Sequence, residues 1–248
     1  MTSQPVQENS TAHPGEAHLS GGAYQEKLNR LRAAVLGSND GIVSVAATVV
    51  GVAGATTDTA AIAIAAAAAV VGGSISMALG EYVSVSSQVD SQEALIAKET
   101  AELRDMPEHE LDELTGLLTE RGISYATARK AALEMTEKNA LKTHLHFELG
   151  LDADDIPSPW SAAFASAGAF LLGALLPTLL ILLFPASIRI PVTFAGVLLA
   201  LAVTGTLGAK WGGSPRYGKA ALRVVVGGAL ALAVTFAVGS LLGASGVV

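Results

Sequence analysis

Five stretches of this 248-residue chain are apolar and about 20 residues long or more, the length a helix needs to cross the hydrocarbon core of a bilayer. They cover 33–55, 60–80, 160–184, 191–209 and 221–248. Backbone in lipid has no water to bond, so a spanning segment must close its own N–H and C=O groups, as a helix or in a closed barrel. The alternation of lipid-facing and lumen-facing residues that barrel strands require is missing. The pattern therefore predicts an all-α, polytopic membrane protein with five transmembrane helices. Ala, Gly and Ser dominate the first two stretches, notably at 65–69 and Gly72-Gly73-Ser74, which allows close approach of helix backbones.

Charge divides the chain unevenly. All 22 Asp and Glu residues lie at or before Asp155. Of the 15 basic residues, 13 lie in the N-terminal flank and the second and fourth connections, Arg223 lies in the first turn of the fifth stretch beside the fourth connection, and only Arg189 lies on the opposite side. By the positive-inside rule the N-terminus, the long 81–159 segment and the 210–219 turn are expected in the cytoplasm, with the C-terminus outside. A net charge of -7 argues against a nucleic-acid partner, which would require a clustered basic face. The absence of cysteine removes thiolate metal sites, Fe–S clusters and cysteine nucleophiles. Cations are the expected charged partner.

Four regions follow from this layout. Residues 1–26 are polar, without the basic-then-apolar order of a signal peptide, and are expected to be a disordered cytoplasmic tail in which His13 and His18 are solvated. Residues 27–87 hold spans one and two, 88–158 a cytoplasmic insert, and 159–248 spans three to five. The insert reads as three helices: an extension of the second span to about residue 103, a segment over 107–121 and a segment over 125–149. Pro107 suits a first helical turn, Gly122-Ile123-Ser124 breaks and caps, and Gly150 ends the last helix.

The insert carries the first set of candidate ligands. Glu99 and Glu102 are three residues apart, as are Glu110 and Glu113, so each pair projects from one helix face. Carboxylates gathered in this way repel one another unless a hard or borderline divalent cation bridges them. Glu148, with His144 one turn before it, offers a third ligand set. The competing reading is that glutamates simply coat solvated helices. Within the apolar stretches, Asp40 and Glu81 are the acidic candidates, and an ionisable group there is by default an ion or proton site. Asp40 lies well inside the first stretch, between Gly37 and Gly41. Glu81 lies closer to the interface. Met77, one turn before Glu81, offers a thioether, although methionine in a helix more often serves packing.

Taken together, SNDGIVS in the first span, SMALGEYVSVSSQ at the end of the second, and the spacing Glu99-x2-Glu102-x7-Glu110-x2-Glu113 resemble the vacuolar iron transporter family, over nearly the whole chain from Lys27. The resemblance, to a bacterial-type member, implies a homodimeric divalent-metal/proton antiporter in a bacterial plasma membrane that moves Fe2+, and also Mn2+, out of the cytoplasm. It implies that spans one and two line the path, that Asp40 and Met77 are intramembrane ligands, and that Glu99, Glu102, Glu110, Glu113 and Glu148 form the metal-collecting insert.

Three positions depart from the family pattern. Ala69 replaces a second-span glutamate, leaving Glu81 as a substitute for proton coupling. His144-Leu145 replaces paired methionines. Val45 replaces a proline, so that any bend in the first span falls to Gly37 or Gly41. No prosthetic group is expected, the metal being cargo, and the spans hold no HExxH motif or Ser-His pair of an intramembrane enzyme. The competing classes are a non-transporting metal sensor or scaffold, and an uncoupled metal channel.

Overall fold

The computed structural model describes residues 21–151 and 156–246. Among them the chain forms seven helices and no strand: α1 (Gly21–Ala55), α2 (Thr59–Asp105), α3 (Pro107–Glu120), α4 (Tyr125–Phe147), α5 (Pro159–Leu183), α6 (Arg189–Trp211) and α7 (Tyr217–Ala244). Residues 1–20, with His13 and His18, lie outside the described residues. So do 152–155 at the end of the insert and 247–248. α1 starts six residues earlier than the 26/27 boundary of the expected tail. Ala23, Gln25, Glu26, Lys27 and Leu28 are all good helix formers and extend it upstream of the apolar run.

Five helices are long and apolar enough to cross a bilayer: residues Ala33–Ala55 of α1, then α2, α5, α6 and α7. α1 is the central one. It packs against α5, α7, α2 and α6, and 39% of its membrane window is buried, against 11% for α2. Its Ile42, Val45, Ala46, Val49 and Val50 meet Ile62 and Ala66 of α2, Phe170 and Ala174 of α5, Leu201 of α6 and Leu232 of α7 in one apolar core.

Through Gly37 and Gly41 α1 is one unbroken helix. Gly41 serves contact: a Cβ there would collide with the carbonyl of Phe170 on α5, and one at Gly173 would collide with the carbonyl of Ser38. Backbone meets backbone at this crossing, which only glycine allows. A 2.6 Å hydrogen bond from the Thr204 hydroxyl on α6 to Asn39 Oδ1 sets the rotation of the same turn of α1.

The insert consists of the end of α2 together with α3 and α4. α2 runs without interruption from its N-cap, where Asp58 accepts from the Ala60 N–H, to Asp105. Pro107 occupies the first turn of α3. Leu111, Leu114 and Leu118 of α3 close a small second core with Ala128 and Ala132 of α4. Gly122, at φ 91°, turns the chain between α3 and α4. Gly150, at φ 63°, stops α4 where the Leu151 N–H bonds back to the Leu145 carbonyl. The difference lies within α4, which is broken at Asn139 (φ -169°, ψ 91°). Asn139 Oδ1 accepts from the Lys142 N–H at 3.0 Å and so caps a fresh helical segment. The break re-aims the last two turns of α4, which carry His144.

Candidate metal centre

Three helices and the residue just past one of them converge at the top of the insert. Glu99 comes from α2, Glu110 from the first turn of α3, and His144 from the restarted segment of α4. Glu148 follows the last helical residue, its N–H bonded to the His144 carbonyl at 2.9 Å. One ligand atom from each of the four lies within 4.8 Å of all the others. Arg121 at the end of α3 holds the end of α4 in place, donating to the Phe147 carbonyl at 3.0 Å and lying over the Phe147 ring.

Burial makes this group unusual. Glu99 is 1% exposed, Glu110 3% and His144 0%. His144 Nδ1 lies 3.1 Å from Glu99 Oε1, 3.5 Å from Glu148 Oε2 and 3.6 Å from Glu110 Oε2. Yet Glu99 Oε1, Glu148 Oε2 and both imidazole nitrogens are buried with no hydrogen-bond partner. Polar atoms so placed cost on the order of 1–3 kcal/mol each. Metal–ligand bonds of about 2.0–2.2 Å set neighbouring donors about 2.8–3.6 Å apart without any N–H pointing at an oxygen. The separations around His144 fall in that range. Three carboxylates and one imidazole make a hard-to-borderline donor set, suited to Fe2+, Mn2+ or Zn2+ more than to soft ions.

Electrostatics agree. Burial pushes the Glu99 carboxyl up to about 7 from its usual 4.5, and the charges of Glu148, Glu110, Glu102 and Glu113 add to the rise. Without a cation the Glu99 carboxyl is partly protonated near neutral pH, and a divalent ion would displace that proton.

The remaining sequence candidates are arranged differently. Glu113 falls in an adjoining, more exposed group with His109 and Glu110, where His109 Nδ1 lies 3.6 Å from Glu110 Oε1 and 4.0 Å from Glu113 Oε2. Glu110 thus turns one oxygen towards each imidazole. His109 was not singled out by sequence reasoning, although its place beside Glu110 and one turn before Glu113 is a signal. Glu102 stands outside both groups and pairs with Lys98 at 3.0 Å.

Asp40 and Glu81, both half-buried, also belong to neither group. Asp40 Oδ1 accepts from the Ser44 hydroxyl at 2.7 Å, and Thr48 continues this polar line one turn further along α1. Met77 packs at the edge of the membrane core. Glu81 precedes Tyr82, whose ring meets Trp160 of α5 at 4.7 Å, an aromatic pair of the kind that marks a membrane interface.

A family model described as the VIT family matches residues 31–240. The chain is 41% identical over 212 residues to a vacuolar iron transporter of Acanthamoeba castellanii, covering 85% of this chain and 78% of that protein. It is 34% identical over 224 residues to vacuolar iron transporter homolog 4 of Arabidopsis thaliana, covering 90% and 89%. To VIT-like transporter 1b of Glycine max it is 34% identical over 242 residues, covering 97% and 87%.

Proposed function

This chain belongs to the VIT family, and on that premise we propose that it carries divalent metal, Fe2+ and also Mn2+, out of the cytoplasm in exchange for protons. The observation that carries this reading is the buried Glu99, Glu110, His144 and Glu148 group, whose donor atoms converge without bonding one another. Its relatives' names supply iron as the cargo.

The insert concentrates the ion on the cytoplasmic side, together with His109 and Glu113 at its margin. The ion then passes to Asp40 and Met77. Asp40, Ser44 and Thr48 form a polar line on α1, with Ser44 and Thr48 exposed in the single chain. Such a line within a span needs an aqueous path or a second protein surface beside it. On α2, Ile64, Val71, Ile75 and Leu79 are exposed, and a Cβ at Gly72 would meet nothing. That uncovered face supports a homodimer in which α1 and α2 of both copies bound the path. Protonation of Asp40 from the outer side releases the ion, with Glu81 as a second proton site. The membrane is the plasma membrane, the N-terminus is cytoplasmic and the C-terminus lies outside. No catalytic chemistry is assigned.

Purified protein in liposomes, with a metal indicator and a pH dye inside, tests the reading. Uptake of Fe2+ accompanied by counter-movement of protons is expected. Metal uptake with no proton movement would replace the antiporter with a channel, and no uptake at all would leave a sensor or scaffold.

A further inference from the structure

The cluster and the membrane are joined by a single helix. α2 has 47 residues and so extends about 70 Å, more than twice the hydrocarbon thickness. At about 100° per residue, Glu81 lies about 40° around the helix from Met77, Ser84 about -20°, Gln88 about 20°, Gln92 about 60° and Glu99 about 40°. From Met77 to Glu99, the residues within this arc are Met77, Glu81, Ser84, Gln88, Gln92, Leu95 and Glu99, and only Leu95 lacks a donor atom for a metal. Steps between successive donors are about 4.5–6 Å as far as Gln92, and about 10 Å from Gln92 to Glu99.

Gln92 is the telling member. Its Oε1 is buried and has no hydrogen-bond partner, although the residue belongs to a cytoplasmic helix where water would satisfy an exposed amide. Amide carbonyls are ordinary ligands for hard divalent cations. Ser84 and Gln88 on the same arc are exposed.

We propose that this face of α2 is a conduit for divalent cations, in which Gln92, Gln88 and Ser84 pass the ion from the Glu99 cluster to Glu81 and Met77. The chemistry of the arc fits that use. Carboxylates stand at the two ends, where an ion must be captured, and neutral oxygen donors stand between them. Neutral donors hold a divalent ion weakly enough to let it go, the condition for passage along a row of sites. A row of carboxylates would trap it. The proposal rests on the transport reading and deepens it by naming the route.

The test is Mn2+ uptake by proteoliposomes holding an entrapped fluorescent indicator, with Mn2+ binding to the detergent-solubilised full chain measured by calorimetry. Gln92→Leu is expected to slow uptake about tenfold, equivalent to roughly 1.4 kcal/mol of barrier, while the binding affinity of the cluster is unchanged. Gln92→Glu is expected to lower both the maximal rate and the half-saturating concentration, since an anion in mid-route retains the ion. A packing role would not produce that paired change. Gln88→Ala and Ser84→Ala, both at exposed positions, decide the matter should Gln92→Leu fail to fold, and each is expected to slow uptake severalfold. Wild-type rates in Gln92→Leu, or in both alanine variants, overturn the conduit. Absence of uptake by the wild-type protein would instead sink the transport reading, and the conduit with it.

Discussion

His144 Nδ1 and Glu99 Oε1 face each other at 3.1 Å from two different helices, both buried, and no hydrogen bond joins them. An imidazole and a carboxylate at that distance would ordinarily align as donor and acceptor. Here Glu110 and Glu148 stand around the same imidazole nitrogen, and one donor atom from each of the four side chains lies within 4.8 Å of the others. A site of this shape is costly when empty, and an arriving cation relieves that cost.

Metal binding should release protons. With the Glu99 carboxyl raised to about 7 in the metal-free protein, binding at pH 7 is expected to free about half a proton per ion from this residue. Affinity should fall as pH is lowered from 8 to 6. Calorimetry in buffers of different ionisation enthalpy measures the proton count directly, and a pH-independent affinity over this range would contradict it.

The same shift has a stability consequence. Between its usual 4.5 and about 7, Glu99 holds a proton in the folded metal-free state that it has lost in the unfolded one. Stability of the metal-free protein is therefore expected to fall as pH rises through that window. Saturating Mn2+ should cancel the trend. Thermal melts in chelator at pH 5.5 and pH 8, with and without the ion, test both halves.

Glu99→Gln and Glu102→Gln should differ sharply. Glu99 is a buried member of the cluster, whereas Glu102 is engaged with exposed Lys98. The first substitution is expected to weaken metal binding at least about tenfold, or roughly 1.4 kcal/mol. The second should change it about twofold or less, because a solvated ion pair contributes little. Equal losses would mean that Glu102 swings into the cluster when metal is bound.

Asp40→Asn is expected to abolish uptake in proteoliposomes while cluster binding, measured on the same protein in detergent, is retained. Ser44→Ala removes the hydroxyl that donates to Asp40 and should slow uptake by less, about threefold to tenfold, the size of an ordinary net hydrogen bond. Near-normal flux in Asp40→Asn would remove this residue from the path.

Gly41→Ala forces a methyl group against the Phe170 carbonyl, whereas Gly168→Ala meets nothing within 4 Å. The first should lower stability by about 1–3 kcal/mol, and the second should remain within about 0.5 kcal/mol. Chemical unfolding of the detergent-solubilised variants compares them, and equal stabilities would show that α1 and α5 separate readily at this crossing.

The five spans could be read from residue order because the requirement behind them is local: a backbone in lipid must be helical, and about 20 apolar residues must follow one another. Pro107 at the start of α3 and Gly150 at the end of α4 were equally readable, since each acts through its own φ angle. Helical spacing likewise put Glu99 with Glu102 and Glu110 with Glu113. It could not separate the members of those pairs. That division depends on how α2, α3 and α4 are set against one another: the contact buries Glu99 and Glu110, leaves Glu102 to Lys98, and gives Glu113 to His109. It depends also on the break at Asn139, which turns His144 inwards and which no residue type announces. Gly41 shows the same limit in the membrane, because nothing in SNDGIVS distinguishes a hinge from a contact until the Phe170 carbonyl is in place beside it. The spans, their punctuation and the supply of ligands are properties of neighbours along the chain and can be read in residue order. Which ligands share an ion was decided only by tertiary packing, because convergence is a relation between helices that are far apart in sequence.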